Sequence, residues 1–344
     1  MRNILCVTLI ALLGGCTSTS VTEKYQDKRN DIINVTDKVI EFETGNVLIG
    51  SVSRLYMSNK CLLIADHKSV DKQIHIFNKN DFSYLTSIGN FGEGPEEITV
   101  MGCLAIDEAH HQLYVSDHAK QKIFSYDMDS VMVDSLYKPQ VKTAMNETLF
   151  PSEYQYINDT LSIAVLIKPT STSTFNQFLG RWNMNTGEMI PMKYTHPDIQ
   201  KKRITFAASE KAGIYVECYT RHDLMTICSL DGELLYNIYG PDWDGGNGNK
   251  LQSFGTVMIG NDKIFVSYCG EDYARDSFPT KILVFDLEGN YLKTLETGYK
   301  ISDCCYDSFN NRIILSLNDV VQFAYLDIDG IISVSYTHHR AHET

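Results

Sequence analysis

Carboxylate and aromatic side chains occur together in three segments that are rich in turn-forming residues. An aromatic ring can stack on the apolar face of a sugar or peptide, and a neighbouring carboxylate can accept hydrogen bonds from hydroxyl or amino groups. The candidates for a ligand-binding face are therefore Glu93, Glu96, Glu97, Asp242, Trp243, Asp244, Glu271, Asp272 and Tyr273. The alternative is that Gly, Pro and Asp occur in these segments only to turn the chain.

Three histidines stand beside an aspartate after similar strand-like runs. The pairs Asp66-His67 and Asp117-His118 are 51 residues apart, and Arg221-His222-Asp223 follows a comparable run further along. Imidazole nitrogens bind transition metals, so His67, His118 and His222 would form a metal site if the chain brought them together. The alternative is that each aspartate is a turn residue and that the histidine beside it faces solvent.

The motifs of well-known catalytic sites are absent from the sequence. It has no Gly-x-Ser-x-Gly nucleophile turn and no phosphate-binding loop ending in Gly-Lys-Ser or Gly-Lys-Thr. The 30 Lys and Arg residues against 43 Asp and Glu residues give a net charge of −13. This charge excludes nucleic acid as an expected partner, because phosphate binding needs clustered basic residues. The sequence favours a protein that is not an enzyme, and its motifs indicate no cofactor.

Short β-rich runs, repeating about every fifty residues, carry these loops. Six runs end in an apolar residue followed by Asp or Asn and a turn, and the residues before that Asp or Asn are Phe77, Tyr126, Trp182, Leu230, Phe285 and Leu326. A second apolar run precedes each of them. Six such repeats of about four strands predict an all-β, six-bladed β-propeller with four-stranded antiparallel blades. Two β-sandwiches in tandem are the alternative, although they do not require an even repeat.

The first strand-like segment has a predicted role in closing this ring. The last repeat ends near Ser333, with little sequence left for an outer strand. Residues 37–43 precede the first blade and alternate in polarity as a strand does, with Ile40 and Phe42 on one side. We predict that this segment pairs with Phe323–Asp327 in the last blade and covers its open sheet edge.

The N-terminus predicts export and a lipid anchor. Arg2 precedes a largely apolar stretch, Ile4–Leu13, that is too short to span a membrane permanently. It ends in Leu13-Gly14-Gly15-Cys16, which resembles a bacterial lipobox, whose cysteine is acylated (for example with palmitate) and becomes the first residue. Residues 1–15 are then a signal peptide, residues 16–36 a lipidated flexible tether and residues 37–333 the propeller. The expected location is the outer membrane, facing the periplasm or the cell surface.

A family resemblance rests on one loop in addition to the lipobox. The stretch Asn90-Phe-Gly-Glu-Gly-Pro-Glu-Glu97 is similar to the Gly-rich loop of the NHL-like and TolB-like six-bladed β-propeller lipoproteins of Bacteroidota. The resemblance covers most of residues 38–333 and implies the fold and the envelope location. Lactonase-type propellers hold Ca²⁺ near the axis with carboxylate and amide oxygens, so the resemblance keeps Ca²⁺ open as a ligand. Residues 334–344 resemble a translated sequencing adapter and are interpreted as a non-native tail.

Seven cysteines remain after Cys6 and Cys16, and an odd number cannot pair completely. Cys218 and Cys228 flank one predicted hairpin and are candidates for a disulfide in an oxidising compartment. The alternative is that they pack as small apolar residues. Cys304 and Cys305 are a poor pair because neighbouring strand residues point to opposite faces.

These observations favour a binding module: a monomeric ring, attached to the membrane by its lipid, that presents one loop face to a protein, peptide or glycan. The alternative is a carbohydrate-active or lactone hydrolase or lyase with an acidic or Ca²⁺ site at the axis. Propellers support both functions, so the fold alone cannot decide. Three or more carboxylate, Asn or His side chains converging at the channel mouth would favour the enzyme, and an apolar or water-filled channel would favour the binding module.

Overall fold

Six β-sheets of four or five strands make up the described part of the chain. A computed structural model describes residues 22–332 except 135, 200–201, 246–250 and 276. The first three strands are β1 (Glu23–Tyr25), β2 (Ile32–Asn34) and β3 (Val39–Glu41), and a 3-10 turn at Thr36–Lys38 precedes β3. Each of these three strands joins a sheet formed by the later part of the chain.

The first three blades follow one another in sequence, and each begins with its innermost strand. Blade 1 contains β4 (Ser53–Met57), β5 (Cys61–Asp66), β6 (Lys72–Asn78) and β7 (Tyr84–Asn90). Blade 2 contains β8 (Met101–Asp107), β9 (Gln112–Asp117), β10 (Lys122–Asp127) and β11 (Gln140–Ala144), with the short helix α1 (Met128–Val133) between its last two strands. Blade 3 contains β12 (Phe150–Asn158), β13 (Leu161–Pro169), β14 (Phe175–Trp182) and β15 (Met189–Pro191).

The other three blades have the same plan and add the N-terminal strands at their outer edges. Blade 4 contains β16 (Ile204–Ser209), β17 (Ile214–Tyr219), β18 (Leu224–Ser229), β19 (Leu234–Tyr239) and then β1. Blade 5 contains β20 (Leu251–Gly260), β21 (Lys263–Asp272), β22 (Lys281–Asp286), β23 (Tyr291–Glu296) and then β2, with a 3-10 turn at Tyr273–Arg275. Blade 6 contains β24 (Ile301–Asp307), β25 (Arg312–Leu317), β26 (Phe323–Asp327) and then β3. The predicted six-bladed propeller is confirmed.

The core lies between blades, because each sheet packs against two neighbours. The second strands β5, β17 and β25 have six residues each, and every one of these residues is buried. These strands are therefore mostly apolar and have no face towards solvent. Six apolar clusters are present in the described residues, and each of them joins two neighbouring blades around the ring. Between blades 6 and 1, for example, Ile64 and Phe77 pack with Ile314 and Phe323.

The ring closes as predicted. In β3, Ile40 lies opposite Tyr325 and Val39 lies opposite Leu326, so the N-terminal segment is the outer strand of the last blade. Phe42 follows this strand, and its ring stacks on that of Phe82 with centroids 3.9 Å apart. The two ends of the ring are therefore joined by backbone pairing and by aromatic packing against blade 1.

The tether prediction is wrong for residues 22–36, which we call the N-terminal strap. Strand β1 pairs in parallel with β19, and β2 pairs in parallel with β23. The Arg29 side chain enters between blades 4 and 5 and forms an ion pair with Asp223. Strands of three residues need no apolar period, because the outer edge of an existing sheet supplies their hydrogen bonds. Residues 16–21 of the predicted tether, and the whole signal peptide, lie outside the described residues.

Of the two alternatives for Cys218 and Cys228, the structure supports apolar packing and not the disulfide. Cys218 packs in the apolar cluster shared by blades 4 and 5, whereas Cys228 packs in the cluster shared by blades 3 and 4. The two thiols therefore lie on opposite faces of one sheet and cannot meet. Cys304 and Cys305 are likewise divided between two clusters, as expected for neighbours in a strand. All seven cysteines of the described residues are unpaired and buried.

Among the described residues, no helix has the length and apolar character that crossing a membrane requires.

Candidate functional site

A cavity of about 1290 Å³ runs through the centre of the ring and is lined by the inner strand of every blade. We call the end at which the inner strands begin the cavity mouth. The loops between the second and third strands meet this end, because Ser53 pairs with Asp66 in blade 1 and Met101 pairs with Asp117 in blade 2. Residues before an inner strand and residues after a second strand are therefore neighbours at the mouth.

An ion pair spans the mouth in front of blade 2. Arg54 comes from the inner strand of blade 1 and Glu153 from the inner strand of blade 3, and Arg54 Nη1 lies 2.7 Å from Glu153 Oε1. Both side chains are more than one-third exposed. Burial lowers the pKa of Arg54, but Glu153, Tyr56 and Asp303 together raise it above its usual value, so the guanidinium remains charged.

A third charged side chain, Asp303, reaches the cavity from blade 6. Its carboxylate accepts hydrogen bonds from the Leu55 backbone N–H at 2.8 Å and from Thr256 Oγ1 at 2.7 Å. Asp303 thereby connects blades 5, 6 and 1. Burial raises the pKa of Asp303 even though these two donors lower it.

β-Bulges place two of these charged residues. The pairing of β12 is irregular between Pro151 and Glu153, and the pairing of β24 is irregular between Ile301 and Asp303. A bulge locally rotates the strand and redirects the side chain that follows it. The inner strands of blades 3 and 6 therefore turn a carboxylate towards the cavity close to the mouth.

Two histidines complete the polar part of the mouth. His67 and His118 line the cavity, and within the described residues neither Nε2 atom has a hydrogen-bond partner. Burial lowers the pKa of both imidazoles. Gly102 makes room for His118, because a Cβ at this position would lie 2.4 Å from His118 Nε2. Both imidazoles are thus neutral near pH 7, and each keeps a buried ring nitrogen without a partner among the described residues.

Apolar side chains surround these polar groups at the mouth. Phe91 belongs to the loop between blades 1 and 2, and Phe278 belongs to the loop between the second and third strands of blade 5. Both line the cavity and remain more than one-third exposed. Val52 and Val100, which precede inner strands, are about half exposed in the same lining. The mouth therefore has polar groups at its centre and an apolar rim.

The three glutamates predicted for the ligand face have different surroundings. Glu97 turns back into its own loop and accepts a hydrogen bond from the Gly94 backbone N–H at 2.8 Å. Glu96 forms an ion pair of 2.8 Å with Lys138, and Glu93 is exposed. The Gly-rich loop that carries them contributes Phe91 to the cavity but none of its carboxylates.

The other six predicted face residues also lie outside the cavity lining. In the loop that follows blade 4, Trp243 packs against His222, Asp242 accepts a hydrogen bond from Tyr268 of blade 5, and Asp244 lies 3.8 Å from His222. In blade 5, Glu271 pairs with Arg275 at 3.3 Å, Asp272 caps the Ala274 N–H, and the Tyr273 ring lies against Arg221. Their loops are at the predicted end of the ring, but these side chains contact neighbouring loop and strand residues and do not line the central cavity.

The three histidines do not form one metal site. His222 is buried against Trp243 and Tyr219 and does not line the cavity, unlike His67 and His118. Within the described residues, one group of three side chains could jointly hold a metal ion, namely Asp107, His110 and Asp159. It lies at the ends of the inner strands, opposite the mouth, and His110 Nδ1 already lies 2.8 Å from an Asp107 oxygen.

Sequence reasoning missed Arg54, Glu153 and Asp303, although the chain carries a signal for them. Each follows a serine at or near the start of an inner strand, in the pairs Ser53-Arg54, Ser152-Glu153 and Ser302-Asp303. A charged residue inside a strand that otherwise packs in a core has to face water. In a propeller, the water nearest to an inner strand is in the central channel.

Comparisons with known proteins agree with this architecture. Residues 17–176 match the DUF5128 family, which is described as a 6-bladed beta-propeller. The chain is a six-bladed β-propeller. A Bacteroides fragilis protein described as exported has a similar structure, with a TM-score of 0.56 at 13% identity over 86% of this chain and 87% of that one. No protein with curated annotation matches the sequence.

Two further solved structures show the same fold. A member of the DUF4221 family from Bacteroides vulgatus has a TM-score of 0.55 at 11% identity, over 87% of this chain and 98% of that one. A luciferin-regenerating enzyme has a TM-score of 0.55 at 8% identity, over 83% of this chain and 94% of that one. At these identities the likeness concerns the fold only.

Proposed function

We propose that this propeller is an extracytoplasmic binding module that receives part of a protein, peptide or glycan ligand at its cavity mouth. The observation that carries the proposal is the mouth itself, where polar side chains from blades 1, 2 and 3 meet inside an exposed apolar rim. A concave site with a few convergent polar groups and apolar surroundings is typical of ligand binding. The proposed binding site therefore lies at the inner strands, and not at the loop carboxylates that the sequence composition indicated.

The same groups bear on the enzymatic alternative, a hydrolase or lyase. Two carboxylates and two histidines line the mouth, which meets the number expected for an enzyme. Their bonding favours the binding module, because Glu153 is paired with Arg54 and Asp303 accepts two hydrogen bonds within the ring. Acid–base catalysis on a glycosidic bond needs one carboxyl group on each side of that bond, with one of the two able to give up or take a proton. Glu153 and Asp303 are instead both engaged by partners within the ring.

The proposal includes a lipid anchor at Cys16 and a location on the outer membrane, facing the periplasm or the cell surface. The lipobox-like Leu13–Cys16 sequence supports it, and so does the similarity in fold to a propeller described as exported. We place the chain with the NHL-like and TolB-like propeller lipoproteins, as a monomeric ring, and we treat residues 334–344 as an adapter-derived tail. Cys16 and that tail lie outside the described residues.

A cavity-blocking variant tests the binding function. The full mature chain would be screened by calorimetry against glycan and peptide libraries, beside a Ser302→Trp variant that places an indole in the cavity from blade 6. Ser302 is exposed and lines the cavity, and its hydroxyl donates a hydrogen bond to the Ser316 carbonyl at 2.8 Å, so circular dichroism has to show that the variant keeps the fold. Ser302→Ala is the matched control. Binding to the wild type and to Ser302→Ala, but not to Ser302→Trp, is expected, whereas turnover of a glycan or lactone by the wild type would favour the enzyme.

A further inference from the structure

We infer that the cavity mouth binds an uncharged sugar residue of a glycan, held by Arg54, Glu153, His67 and His118 and stacked on the apolar rim. This inference rests on the proposed binding function and names its ligand class. A sugar ring has an apolar face of C–H groups and an edge of hydroxyl groups. The mouth has the complementary arrangement, with apolar side chains around a polar centre.

The apolar rim supplies the stacking surface. Phe91 is 46% exposed and Phe278 is 36% exposed, and they reach the cavity from different blades. Each ring keeps between one-third and one-half of its surface exposed, so a ligand face that covers it gains apolar burial. The rim can therefore hold a flat ligand with an apolar face, and the valines at positions 52 and 100 extend that surface.

The Arg54–Glu153 pair supplies a donor and an acceptor side by side. Within the described residues, Arg54 makes one side-chain hydrogen bond, from Nη1 to Glu153 Oε1. A guanidinium has five N–H donors, and a carboxylate has about four acceptor positions, so both groups retain bonding capacity. Two adjacent hydroxyls of a sugar can accept from Arg54 and donate to Glu153. Hydrogen bonds to charged groups are stronger than those between neutral groups.

The two imidazoles fit hydroxyl groups as well. The Nε2 atoms of His67 and His118 are buried and unpartnered within the described residues. A buried ring nitrogen without a partner is costly, and a ligand hydroxyl, which both donates and accepts, satisfies either tautomer. The lowered pKa of both imidazoles agrees with this use, because a neutral imidazole adds no charge to the mouth.

The charges of the mouth favour a ligand without net charge. Arg54 and Glu153 neutralise each other at a distance of 2.7 Å. The net charge of −13 opposes an anion such as a uronic acid. Burial raises the pKa of Asp303, and both of its oxygens already accept hydrogen bonds within the ring, so this carboxyl attracts a cation weakly. An extended peptide is less suited, because the polar groups at the mouth are side chains gathered at one point and not a row of backbone groups. Peptide binding is therefore an outcome that the test must be able to detect.

The test measures calorimetric binding of the full mature chain to neutral gluco-, manno- and galacto-oligosaccharides, to uronic acid oligosaccharides and to a peptide library. Neutral oligosaccharides are expected to bind. Arg54→Ala and Glu153→Gln should each weaken that binding by about 10- to 100-fold. Phe91→Ala should weaken it by about 3- to 10-fold through lost stacking. The controls are Lys193→Ala, in an exposed ion pair outside the cavity lining, and Phe309→Ala, in an exposed ring at the end of the propeller opposite the mouth. Neither control should change the binding.

A second readout follows the imidazoles directly. Long-range ¹⁵N–¹H NMR spectra report the Nε2 atoms, and saturating neutral sugar should shift the His67 and His118 signals but leave the signal of His222 in place. Ser302→Trp should abolish both the binding and the shifts while folding normally by circular dichroism. If only peptides or uronic acids bind, and Ser302→Trp blocks them, the sugar inference is overturned and the binding function stands. If neutral sugars bind equally well to Ser302→Trp, both are overturned, and if no neutral sugar binds, the inference fails.

Discussion

Arg29 and Asp223 are 194 residues apart in the sequence, and yet Arg29 Nη1 lies 2.8 Å from Asp223 Oδ1 in the interior of the ring. Their side chains are only 7% and 0% exposed. The Arg29 guanidinium also lies near the rings of Phe254, Tyr268 and Phe285. This contact holds the N-terminal strap between blades 4 and 5.

Removing one partner of this pair should destabilise the ring severely. Arg29→Met leaves the Asp223 carboxylate buried without its cation, which typically costs about 3–5 kcal/mol of unfolding free energy. Urea unfolding followed by circular dichroism measures the loss. Lys193→Ala removes one member of the exposed pair Lys193–Glu233 and should cost under about 1 kcal/mol. Equal effects of the two variants would contradict a structural role for the buried pair.

Ring closure depends on Phe42. Its side chain is buried, stacks on Phe82 and packs near Phe323, so Phe42→Ala should lower the free energy of unfolding by about 3–5 kcal/mol. The same substitution at Phe309, which is exposed, is the control and should be nearly neutral. Thermal unfolding should show one cooperative transition at a lower midpoint for Phe42→Ala, because all six blades depend on closure. A separate early transition confined to one blade would argue against closure by this segment.

Stability should fall as the pH drops from about 7.5 to about 5.5. Burial lowers the pKa of His67, His75, His118, His196 and His222 in the folded chain. The unfolded chain, with histidines near their usual pKa of about 6.5, therefore binds more protons in this range, and protonation favours unfolding. Chemical denaturation at several pH values measures the slope. His75→Gln should reduce that slope, and a stability that rises towards pH 5.5 would refute the prediction.

Gly102→Ala should disturb the cavity mouth more than the fold. The new Cβ would lie 2.4 Å from His118 Nε2 and 2.7 Å from Ser116 Oγ, so the imidazole must move. We expect a loss of about 1–3 kcal/mol of stability from overpacking, together with weaker ligand binding. Adding His118→Ala to Gly102→Ala should recover part of the stability but none of the binding. A double variant no more stable than Gly102→Ala would mean that His118 is not the obstacle.

Cys16→Ser tests the proposed anchor. Without the acylated cysteine the protein should leave the membrane fraction, because an apolar stretch of ten residues cannot replace a lipid anchor. The thermal midpoint of the released protein should equal that of the wild type, since Cys16 precedes the described ring. Unchanged association with membranes after fractionation would rule out the lipoprotein proposal.

The fold could be predicted from the sequence because a propeller repeats its local pattern. Residues such as Phe77 and Phe285 recur at the ends of corresponding strands, and the alternation around Phe42 indicated the closing strand. The strap could not be found in this way. Its two strands, Glu23–Tyr25 and Ile32–Asn34, are too short to show an alternating pattern. They form only by pairing with sheet edges that lie more than 200 residues later in the sequence.

The candidate site was predicted only in part, for a related reason. Loop composition indicated the end of the ring at which the cavity mouth lies, and two of the histidines that it singled out, His67 and His118, line the cavity. It could not distinguish carboxylates that stabilise their own loop, such as Glu97, from those that enter the channel, such as Glu153. That distinction depends on bulges in the inner strands, which redirect a single side chain and leave the surrounding apolar pattern unchanged.

The N-terminal strap also constrains the order of events during synthesis. Glu23 pairs with Asn237 and Ile32 pairs with Thr294, so these early residues have no partners until blades 4 and 5 have been made. At about 5–20 residues per second, the 214 residues between Glu23 and Asn237 take about 10–40 s to synthesise. The N-terminal strap is thus synthesised first, but it can pair with its sheets only after blades 4 and 5 have been synthesised. In the proposed export of this chain, the machinery that acts on its beginning therefore meets it before the partner strands of blades 4 and 5 exist.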